Sequence, residues 1–255
     1  MRFPQHQRLI YGRNPLAEVI CQVRYPRILE IEKDVPAAFQ NRIRTAYPDV
    51  REVHALHNEV VRLVGGESDA VIQRSFDFVS KDGVWKVSLS SGFLALSTNR
   101  YERWEEFRRR MSEALLALEV VYQVTVYSRI GLRYRDVIRR ATLGLVGKSW
   151  SKLLRQELLG ELLSDGFEEA TLHAARELVL KLDFDDASVR LFHGLARIQE
   201  DVEACYLIDS DVFREKETEQ KNAEGVLDRF HDEAGRLFRW CISDDLHNAM
   251  EPTKP

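Results

Sequence analysis

The stretch VTVYSRIGLRY, Val124 to Tyr134, decides the fold. Read at period two, Val124, Val126, Ser128, Ile130, Leu132 and Tyr134 point one way and are largely apolar. Thr125, Tyr127, Arg129, Gly131, Arg133 and, one step on, Arg135 point the other way. That alternation predicts a strand half-buried in a sheet, with helices on its apolar side and a guanidinium ladder on the other.

Immediately upstream, Tyr101, Trp104, Phe107, Met111, Ala114, Leu115 and Leu118 recur at helical spacing and predict an amphipathic helix over 101–118, capped by Asn99. Before it, Ala70–Ser80, Val84–Leu89 and Phe93–Thr98 read as hairpin strands joined by Lys81-Asp82-Gly83 and Ser90-Ser91-Gly92. A further strand is expected over Glu59–Val64, a helix over Val35–Ala46 capped by Asp34, and a first strand over Leu16–Tyr25. Residues 1–13 carry no pattern and read as a loose arm.

Downstream, an apolar stripe predicts a helix from Ser149 to Ser164. Strands follow over Ala175–Phe184, Ser188–Ile198 and Glu203–Phe213, with turns at Asp185-Asp186 and Glu200-Asp201. A long helix from Ala223 to Met250 and a disordered tail, EPTKP, complete the chain. The order implies an α+β fold: a broad antiparallel sheet with long amphipathic helices on one face. The chain reads as a single compact unit over 1–255, with two echoing halves, about 14–140 and 141–250.

A chain of 255 residues with 44% hydrophobic content can bury a core without staples. The formal net charge of -4 argues against a general polyanion binder. The three cysteines, Cys21, Cys205 and Cys241, lack metal-ligand spacing and read as buried thiols. No segment has the length and apolarity of a membrane span, so a soluble, cytoplasmic protein is expected.

No motif assigns catalytic residues, a metal or a cofactor. Asp209-x-Asp211 and His54-x-x-His57 lack companion ligands, and His173 and His193 read as structural. The best binding candidates are Arg129, Arg133 and Arg135, a ladder able to grip phosphate, carboxylate or an acidic partner. The competing reading pairs them with acidic residues on adjacent strands, Glu18 first. Glu18 and Arg133 are expected to form a structural ion pair, because each lies inside a strand-like run where an unpaired charge is costly. Gly131 would leave room for a side chain to lie flat.

NPLAEVICQVRY, LSTNRYERWEEF, RIGLRYRDVI and YLIDSDVF together resemble a sporadically distributed prokaryotic family of uncharacterised function. That family carries an N-terminal Pro-Leu-x-Glu motif, here Pro15 to Glu18, and a central Gly-Leu-Arg-Tyr motif, here Gly131 to Tyr134. Its central motif usually continues Ile-Asn, where this chain has Arg135-Asp136. The resemblance supplies no catalytic residues; the family's patchy distribution suits accessory or defence-type loci.

The leading functional expectation is a non-enzymatic binding module engaging a protein partner or a second copy rather than nucleic acid. The alternative is a sensor of a small anionic ligand or nucleotide phosphate on the arginine-lined sheet face, with an enzyme third. A buried, unpaired carboxylate or histidine in a cleft would separate a catalyst from a binder.

Overall fold

The computed structural model describes residues 1–57, 71–197 and 204–254. Among these, nine strands form one antiparallel sheet. In chain order they are β1 (Leu16–Arg24), β2 (Asp49–His57), β3 (Val71–Val79), β4 (Trp85–Ser90), β5 (Phe93–Thr98), β6 (Arg129–Ile138), β7 (Ala174–Lys181), β8 (Ser188–Ala196) and β9 (Cys205–Arg214). Across the sheet the order is β2-β3-β4-β5-β1-β6-β9-β8-β7. The principal helices are α1 (Ala37–Ile43), α2 (Trp104–Tyr122), α3 (Gln220–Cys241) and α4 (Asp244–Ala249).

The strand that carries Gly-Leu-Arg-Tyr is β6, and it lies at the middle of the sheet. From Arg129 onward its alternation is as expected: Ile130, Leu132, Tyr134 and Ile138 are buried, while Arg133 and Arg135 are exposed. Before that the parity breaks. Val126-Tyr127 pairs with Thr218-Glu219 in a separate ribbon, Tyr127 is buried, and Ser128 donates its N–H to the Arg24 carbonyl at 2.8 Å. The chain bends at Ser128, so Val124 to Ser128 does not continue the strand.

All the principal helices cover the face bearing Ile130 and Leu132. Phe39 of α1 meets Phe78 of β3, Phe107 of α2 meets Trp85 of β4, and His231 of α3 meets Tyr134 of β6. Phe39 and Phe107 belong to apolar stripes, as do Val226, Phe230, Ala234 and Leu237 of α3, and the burial of these stripes, rather than helix propensity, holds the helices in place. A polar seam then fixes α2 against α3: Trp104 Nε1 donates to Asp228 at 2.8 Å, and Arg108 pairs with Glu224 at 2.8 Å.

Both halves are wired alike. A first strand (β1 or β6) leaves for a helical excursion. A meander then returns so that its last strand (β5 or β9) pairs with the first, and a long helix (α2 or α3) follows. The two first strands pair antiparallel at the centre. Wired this way, β6 opens the second half rather than closing the first at residue 140.

Several expected boundaries differ. The helix over 35–46 is α1 preceded by a separate turn of helix, Leu29–Lys33, and Asp34 ends that turn instead of capping α1. α2 starts at Trp104, with Arg103 rather than Asn99 at its N-cap, and runs to Tyr122, after which Gln123 adopts a left-handed φ of 57°. The helix expected over 149–164 is broken at Leu154, whose extended backbone bridges Ile242. The helix expected over 223–250 divides there too: Ile242 is extended, and Ser243 restarts the chain as α4 by accepting the Leu246 N–H at 3.2 Å. β2 occupies 49–57, where no strand was expected; the strand over Glu59–Val64 and the turn at Glu200-Asp201 lie outside the described residues.

Neither terminus is loose. Phe3 is buried against Trp240, and its N–H donates to the buried Glu233 carboxylate at 3.0 Å. Ile10-Tyr11 pairs with Pro252-Thr253, so arm and tail brace each other. These contacts span 230 residues or more in sequence, which is why local pattern does not reveal them.

Candidate functional site

Two regions compete for function: the arginine face of the sheet and a cavity under the helices. On the arginine face, every expected binding residue has a carboxylate. Arg133 grips Asp209 with two hydrogen bonds, 2.7 and 2.6 Å, and Arg135 also lies 3.4 Å from that carboxylate. Arg129 pairs with Asp211 at 2.8 Å and lies over the Phe213 ring. The Asp-x-Asp pair of β9 is thus the ladder's counter-charge, and no metal cluster occurs among the described residues.

The expected Glu18–Arg133 pair is corrected. β1 does lie beside β6, but the register sets Glu18 opposite Arg135 and Ile20 opposite Arg133. Glu18 accepts from Arg135 at 2.8 Å instead. A bulge at Ala17 shifts the register at that end of β1, which sequence parity could not foresee. Gly131 does make room for a flat side chain, and the occupant is Arg129, whose Nη1 lies 2.5 Å from where a Cβ would stand.

Burial ranks these pairs. The Glu18 and Arg135 side chains retain 31% and 49% exposure, whereas Asp209 retains 13% and holds two guanidinium groups. Glu18→Ala is therefore expected to cost about 0.2–1 kcal/mol, as for exposed ion pairs. Asp209→Ala should cost about 1.5–3 kcal/mol, as for hydrogen bonds to charged groups. Urea unfolding of both variants checks the ranking; equal losses would mean the register is different.

The cavity lies between the covered face of the sheet and α3, and measures about 510 Å³. Its floor is Tyr134 and Asp136 of β6 with Ser210 of β9; one wall is the stripe His231, Gly235, Phe238 and Arg239 of α3. These four recur at i, i+4, i+7 and i+8, so they share one helix face, adjacent to the face that packs in the core. The start of α2 and Leu16 complete the walls, and the arm over His6 to Tyr11 crosses the opening.

Aromatic groups organise the site. Tyr134 Oη and His231 Nδ1 lie 2.8 Å apart, and the His231 ring stacks on Trp104 at 4.5 Å. Burial first, then the charge of Arg8, lowers the His231 pKa to about 3, so the ring is neutral at physiological pH. At the opening, Tyr11 Oη and His247 Nδ1 are 2.9 Å apart.

Asp136 is the unusual group. It is 6% exposed, lines the cavity, and has no hydrogen bond or ion pair among the described residues. Burial, reinforced by the charge of Asp209, raises its pKa to about 8. At neutral pH its carboxyl holds its proton and presents both a donor and an acceptor to the cavity. The sequence contained a signal for it: Asp136 is the one acidic residue in the buried parity Ile130, Leu132, Tyr134, Asp136, Ile138.

Gly235 is the second unusual feature. A glycine within a long helix costs about 1 kcal/mol relative to alanine. A Cβ built here would meet nothing within 4 Å, so packing does not require the glycine. The missing side chain widens the cavity.

The other residues singled out have structural places. His193 is buried, with Nδ1 2.9 Å from Tyr206 Oη, while His173 is exposed and does not join it. His54 is exposed beside Glu52, and the three cysteines are buried. No helix among the described residues is long and apolar enough to cross a membrane. No family model matches the chain, and no curated protein matches it.

Proposed function

We propose that the protein is a binding module whose site is the cavity between sheet and α3, taking a small organic ligand with an apolar or aromatic body and a polar group directed at Asp136. One observation carries this reading: a nine-tenths-buried carboxyl without a partner opens into a cavity of about 510 Å³. That volume is in the range of drug-sized ligand sites, and an apolar pocket with a few convergent polar groups is the usual form of one. The two resemblance motifs also converge here, since Leu16 of one and Tyr134 of the other line the cavity beside Asp136.

This reading moves the site from the arginine face to the covered face. The ladder's charges are matched by Asp209, Asp211 and Glu18, which disfavours it as an anion sensor.

The test uses Gly235. Gly235→Ala should stabilise the fold by about 0.5–1 kcal/mol through helix propensity. Gly235→Trp should fold equally well and fill the cavity. Thermal-shift screening of a fragment library is expected to give ligands for the wild type and for Gly235→Ala that Gly235→Trp no longer binds. Hits indifferent to the tryptophan would place binding elsewhere.

A second reading, an enzyme with Asp136 as its acid–base group, is favoured by the same carboxyl, whose pKa lies near operating pH. Turnover of a bound compound, lost in Asp136→Asn while binding persists, would establish it. Binding without turnover leaves the module reading.

A further inference from the structure

We propose that the ligand of this cavity carries a basic nitrogen, an amine, amidine or basic heterocycle, whose cationic form ion-pairs with Asp136. This rests on the cavity being the binding site and specifies what it takes.

The argument is the charge left over in the lining. Three of its arginines are already matched by carboxylates outside it: Arg8 by Glu105, Arg236 by Glu233, and Arg239 by Asp244. Glu102 and Asp232 line the cavity without an ion pair among the described residues, and so does Arg103. Two carboxyl groups therefore face one guanidinium while Asp136 holds its proton, and three once it is ionised. A cation corrects that imbalance, whereas an anion deepens it.

The histidines do not offset it. His231 is neutral, as above. His6 and His247 have lowered pKa values, burial being the first cause for each and Arg239 the second. The phenols of Tyr11, Tyr101 and Tyr134 have raised pKa values through burial, so they stay neutral as well. Asp136 is the lining carboxyl whose pKa is raised to about 8, by burial first and then by Asp209 behind it. The proton balance follows. A neutral base takes the Asp136 proton to form the ion pair. A ligand that arrives already protonated instead drives that proton into solvent.

The experiment compares three probes on one indole frame: tryptamine (cation), tryptophol (neutral) and indole-3-acetate (anion). Binding is measured by isothermal titration calorimetry from pH 6 to 8.5, in buffers of different ionisation enthalpy. Tryptamine is expected to bind about tenfold or more tighter than tryptophol at pH 8, since a charge-assisted hydrogen bond replaces a neutral one. Its affinity should rise towards tenfold per pH unit below the carboxyl's pKa, with release of close to one proton at pH 6.5. Asp136→Asn should abolish the preference for tryptamine over tryptophol and the proton release.

The inference is overturned if tryptophol or indole-3-acetate binds as tightly as tryptamine, or if the preference survives Asp136→Asn. Equal binding of all three that Gly235→Trp removes would overturn the cation preference and leave the cavity as the site. Binding of all three that Gly235→Trp leaves unchanged would overturn both.

Discussion

Asp136→Asn is expected to stabilise the protein, by up to about 5 kcal/mol at pH 7.5, with the gain vanishing towards pH 4. An aspartate in the unfolded chain releases its proton near pH 4, roughly the model-peptide value. In the fold, burial and the charge of Asp209 keep the Asp136 proton bound up to about pH 8. Between those limits the folded state binds more protons than the unfolded one. The contribution of Asp136 is therefore fully favourable below the unfolded pKa and declines as pH rises, by about 1.4 kcal/mol per unit, until the folded pKa is reached. Asparagine keeps the shape and has no proton to lose, so it removes the decline.

The difference between wild type and variant is the right readout, because other groups tilt the wild-type curve. His193 and His231 have pKa values lowered to about 4 and about 3, each chiefly by burial. Unfolding lets them take up protons below about pH 6.5, so they add stability as pH rises to that point. Both are unchanged in the variant and cancel. Urea unfolding of the two proteins at half-unit steps from pH 4 to 8 gives the result. A difference that does not grow with pH would show that Asp136 ionises freely, and the cavity would lose the group that marks it.

Ile130→Ala is expected to destabilise the protein by about 2–5 kcal/mol, the range for removing a buried aliphatic side chain and leaving a cavity. Ile130 is fully buried on the central strand, opposite Val23 of β1, which is itself fully buried. Strands flank it on both sides and helices cover the face above it, so the surroundings cannot collapse to refill the space. Because β6 joins the two similarly wired halves, the loss should appear in one cooperative transition rather than as local fraying. A loss under about 1 kcal/mol in guanidinium unfolding would mean the strand is peripheral.

Period two read over Val124 to Tyr134 identified a strand at the heart of the sheet, and from Arg129 onward its buried side and its arginine side. Period 3.6 identified α2 and the core stripe of α3. These are local quantities, because neighbours two, three or four residues apart determine which face a side chain takes. The same locality explains the failures. Ser128 breaks a pattern that looks continuous, since the backbone there bonds to Arg24, a residue remote in sequence. The helix beyond residue 241 breaks because Ile242 finds Leu154. Arm and tail hold each other across nearly the whole chain.

The candidate site shows the division most clearly. Sequence determined that Glu18 and the arginines of β6 need opposite charges, because unpaired charges within strands are costly. Only the tertiary structure decided that Glu18 serves Arg135, its register partner beyond the bulge at Ala17, and that Arg133 reaches diagonally to Asp209, which the register sets opposite Arg135. Sequence likewise placed Asp136 in an apolar parity and Gly235 inside a helix, two departures from local rule. That both departures line one cavity depends on how α3 crosses the sheet. Packing between elements sets that crossing, and no local periodicity encodes it.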